Sequence, residues 1–126
     1  MTALGNAAKS TVSQFAGSMG LTARENPDGS FGFDFSDSGR LSITQGVDGQ
    51  TILVSLTRRT ILDGVVPLAR LASVAGPLPD GRVVQAGLTT TQQPVLAIAL
   101  DDRSFDLPRL DRALTDLRRL HDSIGF

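Results

Sequence analysis

The chain has 126 residues, an apolar fraction of 40% and 12 basic against 13 acidic residues, which gives a formal net charge of −1. This length fits a single domain, and the near-neutral balance excludes the basic surface expected of a protein that binds nucleic-acid backbones. Because the sequence contains no cysteine, it also excludes disulfides, thiolate metal sites and cysteine nucleophiles.

The first part of the chain predicts a helix followed by three antiparallel strands. Apolar residues recur at helical spacing from Ala8 to Met19, and Gly20 is a natural end for that helix. After the turn residues 26–29, apolar and polar residues alternate, which is typical of half-buried strands, and Asp48-Gly49 is a strong hairpin signal. The strands are predicted at residues 31–36, 41–44 and 51–57.

The second part of the chain predicts a short helix, two strands and a long helix. The short helix begins near Pro67, because proline suits a first turn, and Gly76-Pro77 ends it. Strands follow at residues 83–89 and 95–100, and the second of these is apolar on both faces, which is typical of a central strand. The last helix has Asp106 as its N-cap, Pro108 in its first turn, and an apolar stripe given by Leu107, Leu110, Leu114, Leu117, His121 and Ile124.

These elements give the order α-β-β-β-α-β-β-α. We therefore expect a single α+β domain over residues 1–126, with a twisted, mostly antiparallel five-stranded sheet packed by helices. We also expect Arg112 with Asp116, and Arg118 with Asp122, to pair on the solvent-exposed side of the last helix, because each pair is four residues apart.

Candidate catalytic residues are scarce. His121 is the only imidazole, and its place on the apolar stripe of a helix favours a structural role over acid–base catalysis or metal binding. No serine stands in a nucleophile elbow, and neither a phosphate-binding loop nor a dinucleotide fingerprint is present. We therefore expect no catalytic residue, no cofactor and no metal.

Apolar residues exceed what one small sheet with three helices can cover. Leu53 points to the face opposite Ile52 and Val54, and the predicted strand 95–100 is apolar on both sides. Exposed apolar surface of this kind indicates a protein partner. The opening residues lack the charged and apolar regions of a secretory signal and no apolar run is long enough to span a bilayer, so we expect a cytoplasmic protein without membrane insertion.

The order of four features resembles the class I type III secretion chaperones, the Tir-chaperone family of bacterial proteins. These features are an opening helix that runs into the loop of residues 15–21, the phenylalanine strand paired with residues 41–43, the strand 52–56 followed by an apolar short helix at residues 66–75, and the strand 95–100 followed by a long amphipathic helix.

The resemblance implies a cytoplasmic bacterial homodimer that binds the extended N-terminal segment of a secreted effector and keeps it soluble for secretion, without catalysis. It leaves open whether the dimer also contacts the secretion ATPase. The effector-binding residues implied by position are Val12, Phe15, Met19, Phe33, Ile43 and Leu53. Those implied for the dimer interface are Leu68, Leu71, Ala72, Val84, Ala86 and Leu88.

Two other hypotheses fit the sequence. One is a related α+β adaptor or anti-activator that sequesters a folded regulatory protein. The other is an enzyme or small-ligand protein that uses His121 with a nearby aspartate.

Overall fold

The computed structural model describes residues 4–35, 39–58 and 68–124. The predicted residues Val66 and Pro67, and the turn residues 36–38, lie outside this part of the chain. The helices are α1 (Asn6–Ser18), α2 (Leu68–Ser73) and α3 (Leu107–Ser123), and the strands are β1 (Phe31–Phe35), β2 (Gly39–Gln45), β3 (Thr51–Thr57), β4 (Gly76–Pro77), β5 (Val83–Leu88) and β6 (Pro94–Asp101).

The strands form one sheet in the order β1-β2-β3-β6-β5-β4, and every neighbouring pair is antiparallel. The α+β class and the order of the predicted elements are confirmed, and β6 lies inside the sheet as its two apolar faces indicate. The prediction of five strands was wrong: the described residues form six, because Gly76-Pro77 does not merely end α2 but pairs with Val84 and Val83 as a two-residue edge strand.

One face of the sheet carries the protein core. The register aligns a row of side chains across five strands, and each member of the row is at most 5% exposed. This row consists of Phe31, Ile43, Val54, Ile98 and Val84. The buried apolar side chains of all three helices belong to the same core cluster. We call this side of the sheet the helix face and the opposite side the open face.

The long helices follow directly from their apolar stripes. In α3, the residues that recur every three or four positions, such as Leu110, Leu114 and Leu117, are buried against β3 and β6. The Asp106 side chain accepts a hydrogen bond from the backbone N–H of Arg109, which confirms the predicted N-cap. Helix α1 packs against α3, and its Phe15 ring meets Phe33 of β1 edge-on at a centroid distance of 5.7 Å.

Gly39 is required by both its backbone conformation and the space around it. Gly39 begins β2 with φ of +105°, in the region that disfavours residues with a β-carbon, and a β-carbon at this position would collide with the carbonyl oxygen of Thr57 on β3. The close approach of β2 to β3 at this corner therefore depends on glycine.

The predicted ion pairs along α3 were wrong in their partners. Asp116 is buried, not solvent-exposed, and it pairs with Arg82 and Arg119. Asp122 pairs with Arg58 at the end of β3. Both carboxylates therefore connect α3 with its surroundings, because tertiary partners are closer than the residues four positions away.

Candidate functional site

The outer edge of β1 is the first surface that a partner could use. Strand β1 pairs with β2 on one side, and on its other side Glu25 forms an isolated antiparallel bridge with Phe31. Within the described ranges, no strand pairs with the outer side of Gly32–Phe35. The backbone groups along this stretch are therefore available to an added strand.

The open face of the sheet is the second surface. No helix among the described residues packs on it, and its side chains are mostly small or polar. A row across it consists of Gly32, Ser42, Ser55, Ala97 and Gln85. Its larger apolar side chains are Leu53 and Val95, both partly exposed, and Val83, which is 49% exposed. In the register Leu53 lies across from Ala99 and Val95 across from Thr57, so a chain lying on this face would meet separate apolar side chains among small and polar ones.

The third surface lies at the opposite edge of the sheet, beside α2. Strand β5 pairs with β4 only at Val83 and Val84, so the outer side of residues 85–88 has no strand partner in the described part of the chain. Ala86 is on the helix face and yet exposed, and α3 packs mainly on β3 and β6. Ala72 on α2 is exposed as well, and Leu88 is half-buried. This surface is apolar and open at the end of the core.

The residues predicted to hold an effector separate into two groups. Four of them are at most 5% exposed and belong to the core of the protomer, namely Val12, Phe15, Phe33 and Ile43. The other two are accessible: Met19 at the end of α1 is 37% exposed, and Leu53 lies on the open face. The structure does not bring Met19 and Leu53 to one surface, because α1 packs on the helix face and Leu53 points to the other.

The residues predicted for a dimer interface are gathered around β5 and α2. Leu71 and Val84 are each 2% exposed and fill the core between α2 and the sheet. Ala72, Ala86 and Leu88 are accessible beside them. The side chain of Leu68 lies outside the described part of the structure. Among the described side chains of this set, those three can touch a second protein without opening the protomer.

A cluster of ion pairs that the sequence analysis missed connects the β4–β5 turn to α3. The Arg82 guanidinium lies between Asp80 and Asp116, and its hydrogen bond holds the pKa of the Asp80 carboxyl below its usual range. Arg112 also reaches Asp80, at 3.2 Å. The cluster lines a cleft of about 440 Å³ with Leu78, Pro79 and Arg119. The turn motif Asp80-Gly81-Arg82 was the only sequence signal for it, since the contact with α3 spans 34 positions.

His121 is fully buried, and its Nε2 atom is 2.8 Å from the carbonyl oxygen of Leu56. Since a carbonyl only accepts, Nε2 carries the proton and donates it, whereas Nδ1 is buried without a hydrogen-bond partner. Burial lowers the pKa of the imidazole from its ordinary value of 6.5, although the hydrogen bond to Leu56 opposes the shift. The ring is thus held neutral in the core, which is the structural role favoured by the sequence.

In the described ranges, no three histidine, aspartate or glutamate side chains come together as metal ligands. No helix there combines the length and the apolar character that a membrane span requires.

Residues 8–125 match the family described as type III secretory system chaperone SycN. The chain belongs to this family. The match covers every strand and nearly all of the helical residues, so the open edge, the open face and the surface beside α2 are all parts of a chaperone fold. A search of the curated proteins gives no match.

Solved structures of type III secretion chaperones share this chaperone's fold. The crystal structure of the Yersinia pestis chaperone SycH with a stable fragment of YscM2 contains a chain with a TM-score of 0.68 and 17% identity, with coverage of 94% of this chain and 99% of that one. For the HopA1–SchA chaperone–effector complex, the TM-score is 0.62, the identity 15% and the coverage 88% and 89%. For the ExoU–SpcU complex from Pseudomonas aeruginosa, the TM-score is 0.61 and the identity 18%, with coverage of 90% of this chain and 93% of that one.

The burial of His121 makes the stability of this chaperone depend on pH. As the pH falls below about 6.5, the unfolded chain binds a proton at His121 before the folded chain does, because the folded pKa is lower. The free energy of unfolding should therefore decrease by up to about 1.4 kcal/mol per pH unit until the pH passes the folded pKa.

Urea denaturation between pH 8 and pH 5 measures this effect. Carboxylates also titrate near pH 5, so the readout is the difference in the free energy of unfolding between the wild type and His121→Gln. In this variant an amide N–H can still donate to the Leu56 carbonyl. We expect the wild type to lose more stability than the variant over this range. Parallel pH profiles would contradict the account.

Proposed function

We propose that this protein is a cytoplasmic, non-enzymatic chaperone that binds an extended N-terminal segment of a secreted effector and keeps it competent for type III secretion. The observation that carries the proposal is the family match over residues 8–125. The fold supports it, because both the open edge of β1 and the open face suit a partner without a fold of its own. The proposal gives no catalytic role to His121, which has no exposed atom for a substrate to reach.

The proposed binding mode begins at the edge of β1. An extended segment pairs its backbone with Gly32–Phe35 and so becomes a further strand of the sheet, a mode in which backbone hydrogen bonds supply affinity and alternate side chains supply specificity. Neighbouring strands are about 4.8 Å apart, so Leu53 on β3 lies about 14 Å from a strand added outside β1. About four to five extended residues cover that distance, and the continuation of the segment can therefore cross the open face to Leu53.

In this proposal the four buried residues Val12, Phe15, Phe33 and Ile43 support the binding surface without touching the segment. The ring of Phe15 packs on that of Phe33, and Phe33 and Ile43 fix β1 against β2 from the core side. They set the position and twist of the edge. Their replacement would affect folding first and binding only as a consequence.

Capture from the native organism tests the function. The protein, tagged at its C-terminus, should retain one abundant larger protein through that protein's N-terminal region. Retention of a folded regulator would favour the adaptor or anti-activator hypothesis and contradict the chaperone function.

Leu53→Asp tests the open face. If the captured segment covers Leu53, a carboxylate there is buried without a partner, and we expect affinity to fall at least about tenfold. The melting temperature should change little, since Leu53 is not part of the core. Val47→Asp is the matched control, because Val47 is a fully exposed apolar residue at the β2–β3 turn. Titration calorimetry measures the affinity of each variant for the captured segment. Equal affinities of Leu53→Asp and Val47→Asp would place the segment elsewhere.

We also propose that the chaperone forms a homodimer through the surface beside α2. An isologous interface there would cover Ala72, Ala86 and Leu88 and bring the two β5 strands near the symmetry axis. The open side of residues 85–88 supports this proposal, since an exposed strand edge is normally covered in a stable protein.

Ala86→Asp tests the dimer without disturbing the protomer, because Ala86 is exposed. A carboxylate placed in an apolar interface lacks compensation, so we expect a folded monomer in light scattering after gel filtration. Ala7→Asp, the same change at an exposed position of α1, should remain dimeric. Dimers of unchanged mass in both variants would contradict this interface.

A further inference from the structure

The open face next to the β1 edge carries one ion pair with an unusual arrangement. Arg40 of β2 lies directly across from Asp34 of β1, and its Nη1 donates to both carboxylate oxygens at 3.1 and 3.0 Å. The side chains of Arg40 and Asp34 are 52% and 78% exposed. This pair is therefore accessible to a strand that arrives at the edge.

The guanidinium of Arg40 extends beyond the Asp34 carboxylate and lies over Gly32. A β-carbon placed on Gly32 would be 2.5 Å from Nη2, 3.1 Å from Cζ and 3.6 Å from Nε of Arg40. Gly32 is next to Ser42 in the register, so the guanidinium reaches across from β2 toward the outer edge of the sheet. Within the described part of the chain, Nη2 and Nε donate no hydrogen bond.

This geometry distinguishes two neighbouring positions on an added strand. The side chain directly across from Gly32 would lie beside Nη2 and Nε of Arg40, because facing β-carbons of adjacent strands are about 5 Å apart. The side chain two residues along the added strand would face Asp34. The first position presents hydrogen-bond donors with a positive charge, and the second presents a carboxylate.

Resting on the proposed strand addition to β1, we infer that Arg40 and Asp34 select the segment by charge. The preferred segment carries Asp or Glu across from Gly32 and Lys or Arg across from Asp34, two residues away on the same face. A carboxylate accepts from the guanidinium in charge-assisted hydrogen bonds, and the cation compensates Asp34. This arrangement also requires Gly32, since any side chain there would displace the guanidinium of Arg40.

A phage-displayed library of random eight-residue peptides is the probe. The wild type should enrich peptides that carry an acidic and a basic residue two positions apart in one fixed order, about tenfold over the reverse order. The double variant Asp34→Arg with Arg40→Glu keeps an ion pair but exchanges its charges, and it should enrich the reverse order. Arg103→Glu, at an exposed site after β6, should select as the wild type does.

Gly32→Ala provides a second variant that changes no charge. The atom in the way is the end of a flexible side chain, so the fold tolerates the alanine while the guanidinium moves away from the edge. We expect this variant to bind peptides but with a reduced preference for the acidic residue. Circular dichroism and thermal melting verify that each variant is folded.

Hydrogen exchange of residues 31–35 in the presence of selected peptides separates the possible failures. Peptides that slow this exchange but show no charge order, or the same order with the double variant, would overturn the charge selection and leave strand addition intact. Peptides that leave the exchange of β1 unchanged would overturn both.

Discussion

The alternation of side chains along the strands determines what the rest of the molecule can do. Large apolar residues occupy one face of five aligned strands, from Phe31 on β1 to Val84 on β5. The helices can gain buried area only on that face, so they gather there. The other face retains small side chains such as Ser42, Ser55 and Ala97. Within the described residues, the core therefore lies on one side of the sheet, and no helix covers the other side or the outer edges of β1 and of residues 85–88.

Polar groups hold the helix layer in position. His121 donates to the carbonyl of Leu56 in a central strand, Arg58 at the end of that strand reaches Asp122, and Asp116 receives Arg82 from the β4–β5 turn. Two of these contacts connect α3 to the end of β3, and the third connects it to the β4–β5 turn. Asp116 and His121 are buried, and a shift of α3 along the sheet would cost free energy because it would separate their polar groups from these partners.

Much of this fold could be predicted from the sequence because local patterns were strong. The phenylalanine alternation at 31–35, the Asp48-Gly49 turn and the capped stripe of α3 each depend on neighbours in the chain. Contacts between residues that are distant in the sequence could not be predicted. The pairing of Gly76-Pro77 with β5, and the partners of Asp116, depend on which elements meet in space, and no periodicity encodes that.

For the functional surfaces too, features set by local sequence patterns could be predicted, and features set by contacts between distant residues could not. Leu53 was predicted to point away from Ile52 and Val54, which period-two geometry dictates, and the register confirms that it lies on the open face. Val12, Phe15, Phe33 and Ile43 were predicted as binding residues through a resemblance, and apolar character cannot distinguish a residue under a surface from one on it. The position of Arg40 over Gly32 needed coordinates, because it combines two strands and the absence of a side chain.

The central claim is that an effector segment joins the sheet as a strand at β1, and a disulfide scan tests it most directly. The chain has no native cysteine, so Asp34→Cys introduces a single thiol on the open-face side of the edge, and the segment is added in excess because this variant lacks the Asp34 carboxylate. A single cysteine is then moved residue by residue along the captured segment. The account predicts crosslinks at alternate positions of the segment, because successive side chains of a strand point to opposite faces. Crosslinks at three- and four-residue spacing, or none near Asp34, would contradict it.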